Sequence, residues 1–463
     1  MREVSTFFFR FSILHLPSSL FQLDFLLFLL LNFTLFVRPT DFLEGYEQLQ
    51  IYNYVILTTL AIAGAKIANY FSSGQAFRDP ITACVLGLVP AVALSHLSHF
   101  DLYSARTWTF EFIKVVLYYL LLVTVVNTTR RLRILLYGVT LFATTNATIA
   151  ILDHFEIIDI PSLEAYKQFD DEGDPVTGER LSTPRLCGTG IFNDPNDLSM
   201  IAVFAMVICT MGLCDRELGP VRIAWLAPMA LLFATIVLTK SRGGMLAFMA
   251  ASGVLSYFRF GFWRTAAATL VCVPALLLAV GGRQTDLGSG LAGGTAQSRV
   301  ELWSEGMMVM RQSPLFGIGY ASYADECEGH VAHNSFVHTF VELGLLGGTL
   351  FLGAFWFTAS SLWKFGRGPS AGLQVLTKDS FRNMQPFILA GVVGFAMSQF
   401  SLSRAYSVPT YLVFGAANAY SMESQRHGAP PVIDLSQRNL GALLVGSMAF
   451  LVGVNLFIRF GFR

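Results

Sequence analysis

Runs of about 17–20 apolar residues recur along this chain, and each is long enough to cross a bilayer core of ~30 Å as a helix. So many such runs leave one architecture open, an all-α polytopic membrane protein. Charge supports this: only 13% of the 463 residues are charged, against about 25% in globular domains. No stretch alternates with the period of two that a barrel strand needs. Spans are expected at about 20–37, 51–69, 80–98, 109–127, 133–152, 197–214, 222–239, 243–258, 263–281, 336–363, 384–401, 405–421 and 440–459. This gives about 12–13 transmembrane helices in a single integral membrane domain over 1–463. Short connections make sequential spans antiparallel neighbours, and no internal repeat is evident. Arg2 and Arg10 precede the first apolar run without a small-residue cleavage site after it, so that run is expected to serve as its own insertion signal.

Arg130, Arg131 and Arg133, between the fourth and fifth spans, are expected on the cytoplasmic side. Counting alternately from there puts Arg216, Arg222, Arg259, Arg264, Lys364, Arg367, Lys378, Arg382, Arg426 and Arg438 on the same side, with Arg2, Arg10 and Arg78. Two large loops, at about 153–196 and 282–335, then lie outside, in the periplasm of a two-membrane bacterium. Arg459 and Arg463 fall outside as well, which leaves the side of the C-terminus open. The balanced net charge carries no information about partners; membrane lipids are expected around the spans, and no nucleic acid.

The stretch 281–348 is the largest place in this apolar chain where charge, polar residues and a titratable histidine come together. It holds Arg299, Arg311, Pro314-x-Phe316-Gly317-x-Gly319, His333-Asn334 and Glu342-x-Gly344-x-x-Gly347. Arg185 and Arg242 also stand on outer connections, against the charge rule. Two readings are open for these outer arginines: snorkelling to lipid phosphates, or binding an anionic ligand through paired hydrogen bonds. Gly243 and Gly244 favour the second reading for Arg242, because they permit close backbone approach. Lys240 can support the same site or lie in the interface.

If Arg185, Arg242 and His333 converge, the chemistry follows. Guanidinium groups can hold a pyrophosphate and stabilise charge growing on it, but they cannot act as bases. A histidine, with a reference pKa of about 6.5, can take a proton at neutral pH. A hydroxyl relieved of its proton by His333 would then displace a lipid pyrophosphate and invert the sugar carbon. His333 as a structural histidine stays open, and so does Asn193-Asp194-Pro195-Asn196-Asp197 as a plain helix cap. In the second reading Asn196 faces an anionic ligand. The run from Asp325 to His333 is rich in metal-ligand types but lacks the His-Glu-x-x-His arrangement, and no Gly-x-Ser-x-Gly elbow is present. Neither a metal site nor a serine nucleophile is expected. Cys187 and Cys327 are the two cysteines expected outside, where a disulfide is permitted; pairing would tie the Arg185 loop to the His333 loop.

Arg185 with Gly188 and Phe192-Asn193-x-Pro195-Asn196, Ser241-Arg242-Gly243-Gly244, Arg299 with Trp303, and the motifs of 281–348 resemble the O-antigen ligase and polymerase superfamily. The resemblance covers about residues 180–360. It implies a metal-independent, cofactor-free membrane glycosyltransferase whose donor is an undecaprenyl-pyrophosphate-linked glycan. In ligases the acceptor is the lipid A-core. By resemblance, Arg185 and Arg242 would hold pyrophosphate with Arg299 as a third, His333 would be the base, and Asn196, Asn334 and Lys240 would be supporting residues. Polymerase and protein O-glycosylating branches share these motifs and stay open. A polysaccharide transporter would line its spans with charge on both leaflets, whereas few ionisable residues other than Lys66 and Lys114 lie mid-span here.

Overall fold

The computed structural model describes residues 23–41, 49–160, 163, 168–173, 180–280, 295–367, 379–426 and 433–460. Every expected span meets a helix: α1 (Leu23–Phe36), α2 (Ile51–Ser72), α3 (Pro80–Leu97), α4 (Leu102–Val125), α5 (Thr129–His154), α6 (Pro195–Cys214), α7 (Leu226–Leu238), α8 (Arg242–Phe260) and α9 (Phe262–Val280). Then, after an extra helix α10 (Thr295–Met310), come α11 (Ser335–Arg367), α12 (Gln385–Gln399), α13 (Val408–Arg426) and α14 (Gln437–Phe460). The protein is an all-α polytopic membrane protein. Among the described residues nine helices are long and apolar enough to cross a membrane, counting α7 together with the 3-10 segment Arg216–Trp225 before it. Four of the expected spans, α8, α9, α12 and α13, fall short of that mark. With 15 residues, α12 rises only about 22 Å.

Burial sorts these helices into centre and rim. The apolar window of α6 is 78% buried, while those of α2, α14 and the α7 segment are 17% buried. A helix apolar all round must face protein or lipid, so α6 is the axial helix and the other three present their side chains to the bilayer. Small residues let the centre close up. A Cβ on Gly244 of α8 would lie 1.7 Å from Ser199 Oγ of α6, so α8 can approach α6 only with glycine there.

The two ends of the bundle differ in chemistry. At one end Arg133 pairs with Glu217 and Asp215, Glu423 accepts from the Thr129 amide at 3.2 Å, and Arg426 donates to the Asn127 carbonyl. Residues expected on the cytoplasmic side thus gather together. Lys66 and Lys114, the two mid-span lysines, pair with Asp24 and Glu111, each at 2.6 Å.

The other end collects the two long connections. The connection 153–196 contains an antiparallel hairpin, β1 (Gln168–Gly173) with β2 (Arg180–Arg185), in which Gln168 pairs with Arg185. In the connection 282–335, residues 281–294 lie outside the described residues. The remainder has its own small core, in which Met307, Met310, Tyr323, Cys327 and Ala332 pack against Val337, Phe340 and Val341 of α11 and Val454 of α14.

Candidate functional site

The turn that opens α6 is the hub. Asp194 caps the helix by accepting from the Asn196 amide at 2.7 Å, and Pro195 occupies the first turn. The cap reading of this turn is correct, and the turn does more. Asp194 also accepts from Asn196 Nδ2 at 2.9 Å, which points Asn196 Oδ1 away from the helix. That oxygen accepts from Ser241 Oγ at 2.7 Å and from Arg185 Nη2 at 3.3 Å.

Arg185, at the end of β2, therefore reaches the α7–α8 turn. Its Nε donates to the Thr239 carbonyl at 3.0 Å. The turn is tight because Lys240 takes a left-handed φ of 50°, which few non-glycine residues adopt. Ser241 then caps α8 through the Gly244 amide at 3.1 Å, and Arg242 is the first helical residue, half-buried. Two arginines 57 positions apart in sequence (242 − 185) thus stand at one turn.

His333 is placed by the residues beside it. Trp303 Nε1 donates to the Ala332 carbonyl at 2.7 Å. Asn334 is buried and caps α11, accepting from the Phe336 and Val337 amides at 3.0 and 3.2 Å. Its Oδ1 is committed to that cap. Between these two anchors His333 is held at φ 47°. Arg299 and Trp303 are four residues apart, on one face of α10, so the tryptophan that grips the His333 loop also brings Arg299 to it. Burial, and next the Arg299 guanidinium, hold the His333 imidazole below its ordinary 6.5, with His330 and Arg404 acting the same way and Asp194 against them. The ring is thus kept neutral and able to accept a proton.

Arg404 was not among the sequence candidates. It lies between α12 and α13, and its Nε and Nη2 hold the Asp197 carboxylate at 2.5–2.9 Å. Its amide donates to Ser335 Oγ at 2.8 Å, two residues beyond His333. A usable signal was present in the sequence: the alternate count that marks Arg185 and Arg242 as outer arginines also marks Arg404.

Cys187 and Cys327 are both buried and form no disulfide with each other. Cys327 packs among Met307, Met310, Tyr323 and Ala332, where burial pushes its thiol up to about 11, and Cys187 Sγ contacts the Arg185 carbonyl at 3.7 Å. His338 is buried against Glu342 at 3.1 Å, whereas Arg311 and His330 are exposed. Among the described residues no group of three His, Cys, Asp or Glu side chains could hold a metal ion.

Fold and site together define a class: an integral membrane protein with arginines from several connections, and a neutral histidine, gathered at one end of its bundle. A family model described as O-antigen ligase matches residues 227–352, which supports the O-antigen ligase and polymerase superfamily. Members of that family are membrane glycosyltransferase-type enzymes. No curated protein matches the chain.

Proposed function

We propose that the protein moves a glycan from undecaprenyl pyrophosphate to a sugar acceptor, the lipid A-core, at the periplasmic face of the inner membrane. The observation that carries this reading is the Asn196 junction. It ties Arg185 to the α7–α8 turn that bears Arg242, at the same end of the bundle as a histidine held neutral. In this reading Arg185 and Arg242 grip the pyrophosphate, with Arg299 beside the base. The neutral His333 imidazole takes the proton of the acceptor hydroxyl, and the oxygen attacks the anomeric carbon. The carbon–oxygen bond to the pyrophosphate breaks, its electron pair leaves on the lipid pyrophosphate, and the arginines stabilise that charge. The anomeric configuration inverts. Lys240, Ser241 and Asn196 support the grip rather than the chemistry.

Purified protein in liposomes, given lipid-linked glycan donor and lipid A-core without ATP or metal, is expected to form glycosylated lipid A-core. A product formed only on a second lipid-linked glycan would replace this reading with polymerase, and one formed only on protein with protein glycosylation. No transfer to any acceptor by folded protein would overturn it.

A further inference from the structure

The same α6 turn holds a second arginine whose use the reading above does not assign. The Asp197 side chain is 2% exposed and its partner Arg404 is 40% exposed. A buried carboxylate that engages Nε and Nη2 fixes the guanidinium plane and leaves Nη1 outside the ion pair. Nη1 has no hydrogen-bond partner among the described residues. The backbone is fixed as well. Ser335 Oγ accepts the Arg404 amide at 2.8 Å and is shared between the Leu402 carbonyl (2.6 Å) and the Gln399 side chain. Ser407 and Thr410 hydroxyls donate to the Arg404 carbonyl at 2.9 and 2.8 Å. An arginine needed only to neutralise Asp197 would not require this scaffold.

Arg404 stands close to His333, because its amide is bonded to Ser335, two residues further along. Arg404 acts electrostatically on His333 and feels Asp194. Around the turn and His333, Arg185, Lys240, Arg242, Arg299 and Arg404 stand against Asp194 and Asp197. Positive charge exceeds negative there, which suits the anionic oxygens of a doubly esterified pyrophosphate.

We infer that Arg404 is a substrate-contacting residue whose Nη1 edge donates to an anionic oxygen of the lipid-linked pyrophosphate beside His333, with Asp197 as its positioning residue. This rests on the donor assigned under Proposed function. The test compares binding of undecaprenyl pyrophosphate and of undecaprenol, which lacks phosphates, to the detergent-solubilised full chain. Arg404→Gln is expected to weaken undecaprenyl pyrophosphate binding by about tenfold or more, the scale of a charge-assisted hydrogen bond, and to leave undecaprenol binding unchanged. Arg404→Lys should recover part of the loss, and Asp197→Asn should weaken the same ligand selectively. Undiminished undecaprenyl pyrophosphate binding by Arg404→Gln would overturn the inference. So would an equal loss for both lipids, which would make the pair structural. If the wild-type chain does not distinguish the two lipids, the donor reading itself fails and takes this inference with it.

Discussion

Gly317 and Gly344 meet backbone to backbone where α11 is broken. Gly344 has φ 64° and ψ −163°, inside what is otherwise one helix, and Gly317 has φ 78°. A Cβ on Gly317 would lie 2.3 Å from the Glu342 carbonyl oxygen, and one on Gly344 would lie 2.4 Å from the Leu315 carbonyl carbon. The break frees helix groups, and the segment before it takes them up. Ile318 and Gly319 amides donate to the Val341 and Glu342 carbonyls, while Leu345 and Leu346 amides donate to the Pro314 and Leu315 carbonyls, all at 2.9–3.1 Å. The two glycine motifs read from the sequence are thus the two halves of one joint.

Alanine at either glycine must adopt a left-handed φ and push backbone apart. Gly317→Ala and Gly344→Ala are each expected to cost on the order of 3 kcal/mol, read as a lowered Tm in detergent. An unchanged Tm for both would mean the joint does not hold α11 in place.

His333→Ala is expected to reduce transfer by about 10²–10⁴-fold, the range for loss of a general base, with folding intact. His333→Asn is the sharper variant. Asparagine accepts a left-handed φ and should keep the loop while losing the base, so a well-folded but active His333→Asn enzyme would remove histidine from the chemistry.

The reaction's pH dependence should show the same residue. A base works when neutral, and burial with Arg299 lowers the His333 pKa, so the rate should be flat through neutral pH and fall only below the ordinary histidine range. Arg299→Gln removes a cation that disfavours the imidazolium. The pKa should then rise and move the acid limb to higher pH, and an unmoved limb would place Arg299 away from the base.

The unbridged pair Cys187 and Cys327 predicts a null result on gels. Trypsin-nicked, alkylated protein should migrate identically with and without reductant. Fragments that separate only under reduction would restore a Cys187–Cys327 bridge.

How far the sequence could be read depends on the range of the interaction. All thirteen expected spans meet helices, because hydropathy over one turn after another is a local property. The α6 cap at Asp194-Pro195 was legible for the same reason. The break in α11 was not: 336–363 reads as one apolar run, and its interruption depends on a segment about 30 residues earlier in the chain (344 − 314). Asn196 was legible as a candidate but not as a junction, since its partners Arg185 and Ser241 come from separate connections. Arg404 went unread because its connection is short. The α11 cap at Asn334 was not legible, because a polar side chain next to a histidine has the same appearance in sequence whether or not it caps a helix.

The α6 turn also decides what can be exchanged between relatives. The stretch matched by the family model, residues 227–352, carries Arg242, Arg299 and His333. Arg185, Asn196, Asp197 and Arg404, which orient that set or complete it, lie outside. Grafting 227–352 into another scaffold would transplant the proposed base without the residues proposed to frame its partners. A working chimera has to carry the start of α6 and the α12–α13 connection along with it.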